Sequence, residues 1–292
     1  MIKKTTHRGI EILRVQLDFD NLPSEFDGFT MLQLSDLHIR GKNEQFGILK
    51  DILGRIKTDA AAITGDFADT KEGVRLSGEL IKAINTNYGI YCVLGNHDYW
   101  LDEKKLIKEL KKSGAVTMVN RNKGLKIKNQ KIIFIGVDVS VHDDVMEKVL
   151  GRANLKKAAK GTSKDDFRIL LAHSPDIIKE AAEEKINLVL AGHTHGGQIR
   201  IPFIGALYAS SRFGVKYAYG FFEEHPDEEK EKCSKAGGKE NDIPGTRMFV
   251  SKGIGSTKVN LGGISFKIPL TDIRFNCKPE IAIIELRKVK KD

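Results

Sequence analysis

Short apolar runs that stop abruptly at glycine or a polar residue recur along the chain. Phe29–Leu34, Ala60–Thr64, Ile90–Leu94, Lys131–Val137, Phe167–Ala172 and Leu188–Ala191 are each rich in aliphatic side chains and read as buried strands. Between several of them the spacing turns helical. Residues 43–57 carry Phe46, Ile48, Leu49, Ile52, Leu53 and Ile56 at helical spacing, and residues 71–85 do the same with Val74, Leu76, Leu80, Ile81 and Ile84. A third helix is predicted over 102–113, with Gly114 as its C-terminal cap. The mixed pattern of 144–160 also reads as helix. Ser174-Pro175 is a helix start, a side-chain oxygen at the cap followed by a pre-set φ, and that helix runs to about Glu184. Residues 247–251 and 280–286 read as closing strands. The alternation of strand and helix predicts α/β layers in a single domain spanning 1–292.

Two segments depart from this rhythm. Residues 199–222 are apolar and aromatic with Arg200, Arg212 and Lys216 interleaved. They suit a lipid-facing surface or, equally, a buried strand and loop that finish the core. The charged tract 223–241 reads as a solvated mobile loop.

Composition narrows the class without naming a reaction. Hydrophobic residues make up 40% and charged residues 30% of the 292, as in an ordinary globular protein, and no apolar run reaches the roughly 18 residues a spanning helix needs. The basic N-terminus lacks an apolar region behind it, so it is not read as a signal peptide. Three scattered cysteines, Cys92, Cys233 and Cys277, point to a reducing compartment, so the expected location is the cytoplasm, with peripheral contact at an anionic membrane face left open. A net charge of +9 favours anionic partners. The basic residues are spread rather than striped, which argues against nucleic acid, and nothing points to an obligate protein partner.

The chemistry sits where the apolar runs end. The residues found there are Asp36 with His38, Asp66, Asn96 with His97 and Asp98, His173, and His193 with His195. Each cluster alone could be a turn or a helix cap. Taken together, they place metal-ligand side chains at the carboxyl ends of buried strands, where an open α/β sheet collects its ligands. His7, His142 and His225 lie outside these clusters and read as surface residues; Asp69 and Asp138 read as structural.

Asp36-x-His38, Gly65-Asp66, Gly95-Asn96-His97-Asp98, His173 and Gly192-His193-Thr194-His195 resemble the five motifs of the calcineurin-like metallophosphoesterase superfamily, in the family's order. The stretches 249–255 and 279–281 and the extension Gly196-Gly197-Gln198 resemble a bacterial branch that includes cell-envelope phosphoesterases and a UDP-2,3-diacylglucosamine pyrophosphatase. The resemblance implies a four-layer α/β/β/α sandwich and two divalent metal ions. Asp36, His38, Asp66 and His195 would hold one metal; Asp66, Asn96, His173 and His193 would hold the other. A nitrogen and oxygen donor set without cysteine suits Mn, Fe or Zn. Two such ions activate water near neutral pH and stabilise in-line displacement at phosphorus. His97 would assist as a non-ligating histidine. Asp98 would either orient it or cap the helix ahead of Tyr99, and Arg200 would either meet substrate phosphate or be a surface charge. The expected activity is hydrolysis of a phosphoester or pyrophosphate in a small-molecule or lipid-linked substrate such as UDP-2,3-diacylglucosamine. The alternatives are a general phosphodiesterase or phosphomonoesterase of the cell envelope, and a non-catalytic metal-binding scaffold.

Overall fold

The computed structural model describes residues 2–139, 153–235, 244–256 and 274–290. Ile2–His7 (β1), Ile10–Phe19 (β2), Phe29–Leu34 (β3), Ala60–Thr64 (β4), Ile90–Val93 (β5) and Ala115–Thr117 (β6) lie in one sheet. Arg121–Ile127 (β7), Gln130–Gly136 (β8), Phe167–Leu171 (β9), Leu188–Ala191 (β10), Gly220–Glu224 (β11) and Thr246–Val250 (β12) form a second. The last strand, Glu280–Lys288 (β13), returns to the first sheet, whose order is β1-β2-β13-β3-β4-β5-β6; the second runs β11-β12-β10-β9-β8-β7. Strands β3 to β6 are mutually parallel, as are β8, β9, β10 and β12. Each sheet therefore gathers the carboxyl ends of its central strands along one edge.

The strands are apolar on both faces because both faces are covered. Alternate residues Met31, Ala60, Ala62, Tyr91, Phe134, Ile169 and Leu188 meet between the sheets. The other face of the first sheet, with Leu32, Leu34 and Ile63, packs on Phe46, Leu49, Leu53, Val74, Leu80 and Leu106. Those residues belong to helices Glu44–Arg55 (α1), Lys71–Ala83 (α2) and Glu103–Lys112 (α3). The outer face of the second sheet, with Ile133, Ile135, Val189 and Met248, packs on Ile178 and Ala181 of Ile178–Glu183 (α4). Helix, sheet, sheet, helix is the expected four-layer α/β sandwich. Asn43, Thr70 and Asp102 cap α1, α2 and α3 by accepting from the backbone N–H three residues on, each worth about 1 kcal/mol.

The structure departs from the sequence reading in four places. The tract 223–241 is not a loop throughout: Glu223 and Glu224 end β11, Asp227–Lys235 is a helix (α5), and 236–241 lie outside the described residues. Its first turn carries Asp227, Glu228 and Glu229, which complement the positive end of the helix dipole. Lys230 reaches back to Glu224 at 2.5 Å and Glu229 pairs with Lys185 at 2.6 Å, so the charges dock the segment instead of solvating it. Within 144–160 only the turn Leu155–Ala158 is helical among the described residues, and 144–152 lie outside them. His225 is buried, not on the surface; His7 is exposed and His142 lies outside the described residues. The segment 199–222 divides between the two readings it allowed. Ala209, Tyr217 and Ala218 are buried, whereas Phe203, Ile204, Leu207 and Tyr208 are exposed.

Candidate metal centre

Three loops from the first sheet and two from the second meet at the shared edge. Asp36 and His38 follow β3, Asp66 follows β4, and Asn96, His97 and Asp98 follow β5; His173 follows β9, and His193 and His195 follow β10. The loops hold one another by backbone bonds. The Asp36 N–H donates to the Gly65 carbonyl and the His38 N–H to the Asp66 carbonyl, both at 3.0 Å. The Asp36 carboxylate crosses to the second sheet and accepts the His193 N–H at 3.0 and 3.1 Å.

The local backbone is under strain where the side chains converge. Asp36, His38, Asp66, His193 and His195 all have φ between +44° and +70°, a region L-residues avoid at a cost of about 1–3 kcal/mol each. Such a density of left-handed non-glycine residues persists only where surrounding contacts enforce it. Two glycines make the close approach possible. A Cβ on Gly95 would lie 2.1 Å from Asp66 Oδ1, and one on Gly192 would lie 1.8 Å from Ser35 Oγ.

Seven donor atoms converge. Asp66 Oδ2 is central, 3.5 Å from His38 Nε2 and 3.4 Å from His173 Nε2. On one side, His195 Nε2 is 3.5 Å from Asp36 Oδ1. On the other, His173 Nε2 is 3.0 Å from Asn96 Oδ1 and 3.1 Å from His193 Nδ1. Donors about 2.0–2.2 Å from a common cation stand roughly 3–3.5 Å from each other, so this spacing fits metal coordination. The hydrogen bonding fits it too. His38 Nε2 is buried with no hydrogen-bond partner, and His173 holds its Nδ1 against the Thr64 carbonyl at 2.7 Å, leaving Nε2 turned to the cluster. The groupings Asp36–His38–His195 and Asp36–Asp66–His173 each bring three such donors together.

Electrostatics divide the histidines: the carboxylates favour the charged form of His38 and His173, while His193 and His195 are held neutral with free lone pairs. Burial would depress His173, but the Asp66 carboxylate overrides it and lifts the imidazole to about 10. Burial and then the charge of His173 push His193 down to about 4. Burial, with His38 and Arg274, holds His195 well below the usual imidazole range. Burial opposes ionisation of Asp66, yet His173 and His38 take its carboxyl well below the usual carboxylate range.

The residues flanking the donor cluster sort differently from the sequence reading. Asp98 does not orient His97. Its buried carboxylate accepts the N–H groups of Gly95 (2.8 Å), Asp66 (3.0 Å) and Phe67 (2.8 Å), the capping alternative extended across two loops. Burial and Asp66 push it up to about 7. The group that orients His97 is Asp69, read from sequence as structural. Its Oδ1 stands 3.1 Å from His97 Nδ1 and 2.8 Å from His38 Nδ1, and its Oδ2 accepts from Arg40 Nε at 3.0 Å. Burial would raise Asp69, but the bonds to His38 and His97 take it far below the usual range. Asp138 accepts from the Tyr99 hydroxyl and is structural. Arg200 does not line the cleft; its guanidinium donates to the Gly196 carbonyl at 3.0 Å and lies over Tyr219, bracing the loop after His195. Sequence reasoning also missed Arg274, a half-buried guanidinium 3.3 Å from His195 Nδ1 that donates to the Lys252 carbonyl at 2.8 Å. No motif marks it, because it comes from a segment almost eighty residues beyond His195.

Above the cluster opens a cleft of about 550 Å³ lined by Arg40, Asp69, Asn96, His97, Trp100, Gln198 and Tyr208 among others, a volume suited to a small-molecule substrate. Among the described residues no helix is long and apolar enough to cross a membrane.

The profile of the calcineurin-like phosphoesterase family matches residues 29–197, more than half of the chain. The uncharacterized metallophosphoesterase YkuE of Bacillus subtilis is 28% identical over 276 residues, covering 91% of this chain and 82% of the relative. YkoQ from the same organism is 30% identical over 206 residues, covering 67% and 71%. The phosphodiesterase YaeI of Escherichia coli is 25% identical over 289 residues, covering 94% and 88%. Proteins of this family use two divalent metal ions, and the clustered aspartates and histidines offer the donors to hold them. The chain belongs to the calcineurin-like phosphoesterase family and is a metal-dependent hydrolase of phosphoester bonds.

Proposed function

We propose that Asp36, His38, Asp66 and His195 hold one metal and Asp66, Asn96, His173 and His193 the other, and that the protein hydrolyses a phosphodiester or pyrophosphate seated in the cleft above them. The observation that carries this reading is the position of Asp66 Oδ2, within 3.5 Å of a histidine nitrogen on either side. When bound, the two cations supply charge stabilisation for a phosphoryl group and a water activated near neutral pH. The chain's own residues do the rest. Asp69 fixes His97 through Nδ1, which leaves the other ring nitrogen toward the cleft, where it can hydrogen-bond a phosphoryl oxygen or protonate the leaving oxygen. Arg40, held on Asp69, adds a cation at the same wall.

The finer reading is a lipid-linked nucleotide pyrophosphate such as UDP-2,3-diacylglucosamine; it is supported by the exposed apolar residues beside the cleft, Trp100, Leu207 and Tyr208. The second reading is a phosphodiesterase of broad scope, supported by the likeness to a relative named as a phosphodiesterase. Manganese-reconstituted protein is assayed on UDP-2,3-diacylglucosamine and on a chromogenic phosphodiester, with an Asn96→Ala, His97→Ala double variant as blank. Preference for the lipid nucleotide supports the first reading. Turnover of the small diester alone removes it, and turnover of neither overturns hydrolysis as this site's task.

A further inference from the structure

The exposed apolar residues of the described chain are not scattered. Of ten, Trp100 and Tyr208 line the cleft, and Phe203, Ile204 and Leu207 precede Tyr208 in sequence; Phe275 forms a bridge with Ile199, where that segment begins. A two-residue hairpin, Arg200–Ile201 paired with Gly205–Ala206, projects Pro202, Phe203 and Ile204 at its tip. Phe203 has left-handed backbone (φ +67°) and is completely exposed, and Ile204 is 70% exposed. Isolated apolar side chains on a surface call for no account, but a strained tip that holds Phe and Ile in water beside an active-site cleft does.

The stretch of sequence that carries the tip has charge of one sign. From Gln198 to Phe222 there is no Asp or Glu, while Arg200, Arg212 and Lys216 lie within that stretch and Lys278 follows Phe275. Arg212 is engaged by Asp176 and Glu180, and Lys216 stands 3.9 Å from Glu224 Oε2; both Lys216 and Lys278 keep their side chains exposed. The shape decides between a protein and a bilayer. A few side chains on a narrow tip fall well short of the roughly 800 Å² per partner of a stable protein interface. A lipid surface yields to such a tip, takes its apolar side chains below the headgroups, and holds Trp, Tyr and basic residues at headgroup level.

We propose that the hairpin Arg200–Ala206, with Leu207 and Tyr208, is a membrane wedge that seats the mouth of the cleft on an anionic phospholipid bilayer. Its backbone polar groups keep the insertion shallow, since unpaired peptide groups are excluded from hydrocarbon. The inference does not depend on which phosphoester is cleaved, because its test reads binding and not turnover.

The chain supplies its own probe. Trp100, the single tryptophan, is 58% exposed at the cleft mouth. The full-length protein is mixed with vesicles of phosphatidylglycerol and phosphatidylcholine, with or without brominated acyl chains, and sedimentation and Trp100 fluorescence are followed. Three proteins are compared: wild type, the double variant Phe203→Ser, Ile204→Ser, and Ile2→Ser as a control exposed on β1, outside the hairpin. Wild type and Ile2→Ser are expected to sediment with anionic vesicles, to bind more weakly in high salt, and to show Trp100 quenched by bromolipid. The double variant is expected to partition about tenfold or more weakly, as loss of two apolar side chains predicts, with unchanged turnover of a soluble diester. Absence of vesicle binding by wild type, or binding that the double variant retains, overturns the proposal. So does a wild-type dimer that the double variant dissolves without any lipid binding, which would assign the hairpin to a second copy of the chain.

Discussion

Asp69 accepts from two imidazoles through one oxygen and from Arg40 through the other, so Asp69→Asn keeps the shape and removes the charge that orients His38 and His97. We expect that variant to lower kcat on a chromogenic phosphodiester by about 10- to 100-fold with little change in Tm, as loss of such an outer partner does. Asp98 should behave in the opposite way. Its carboxylate satisfies three backbone N–H groups on two loops, so Asp98→Ala is expected to cost about 3 kcal/mol or more of stability, read as a fall in denaturant midpoint. Equal loss of stability in both variants would contradict this division of roles. The seven donor residues were legible in sequence because each sits one to four residues past the end of a buried run. Asp69 was not, because an acid three residues after Asp66, just ahead of α2, is as readily a turn or cap residue, and only the fold shows which imidazoles face it.

At the level of elements, periodicity located the strands that carry the site and the three helices behind them, since both faces of those strands and one face of each helix are buried. It missed β1, a strand whose six residues are all exposed and which therefore has no apolar signal. It missed α5 because a run of Glu and Lys looks solvated until its partners are known. Glu224 ties that helix down, accepting from Lys230 at 2.5 Å and from Tyr217 at 2.8 Å. Burial would raise its carboxyl, but Lys230 and Tyr217 bring it below the ordinary value of 4.5. A lowered carboxylate contributes stability that is complete above 4.5 and is lost as pH falls through the folded value. Glu224→Gln should therefore cost about 1 kcal/mol at neutral pH, and the gap in Tm to wild type should close on acidification below 4.5. A gap that stays constant with pH would show that the ionised carboxylate plays no part.

Across the whole molecule, one sheet delivers Asp36, His38, Asp66 and Asn96, and the other delivers His173, His193 and His195. Cations held there would bind the folded chain and join the two sheets, and a ligand present at about 100 times its Kd adds about 2.7 kcal/mol. Chelation should lower Tm by roughly 5–10 °C, with recovery on adding back manganese or zinc, measured by calorimetry. An unchanged Tm would mean that the strained loops need no cation to keep their geometry. The sheet order carries a separate consequence. β13 lies between β2 and β3, parallel to the first and antiparallel to the second, so the last of the described strands is an interior plank of the first sheet. While a ribosome is still short of Glu280, β2 has no neighbour on that side and β3 shows an open edge next to the aspartate loops. Truncation ahead of Glu280 is therefore expected to split the first sheet at its interior and open the chain to proteases, although every donor residue of the site lies upstream of the cut.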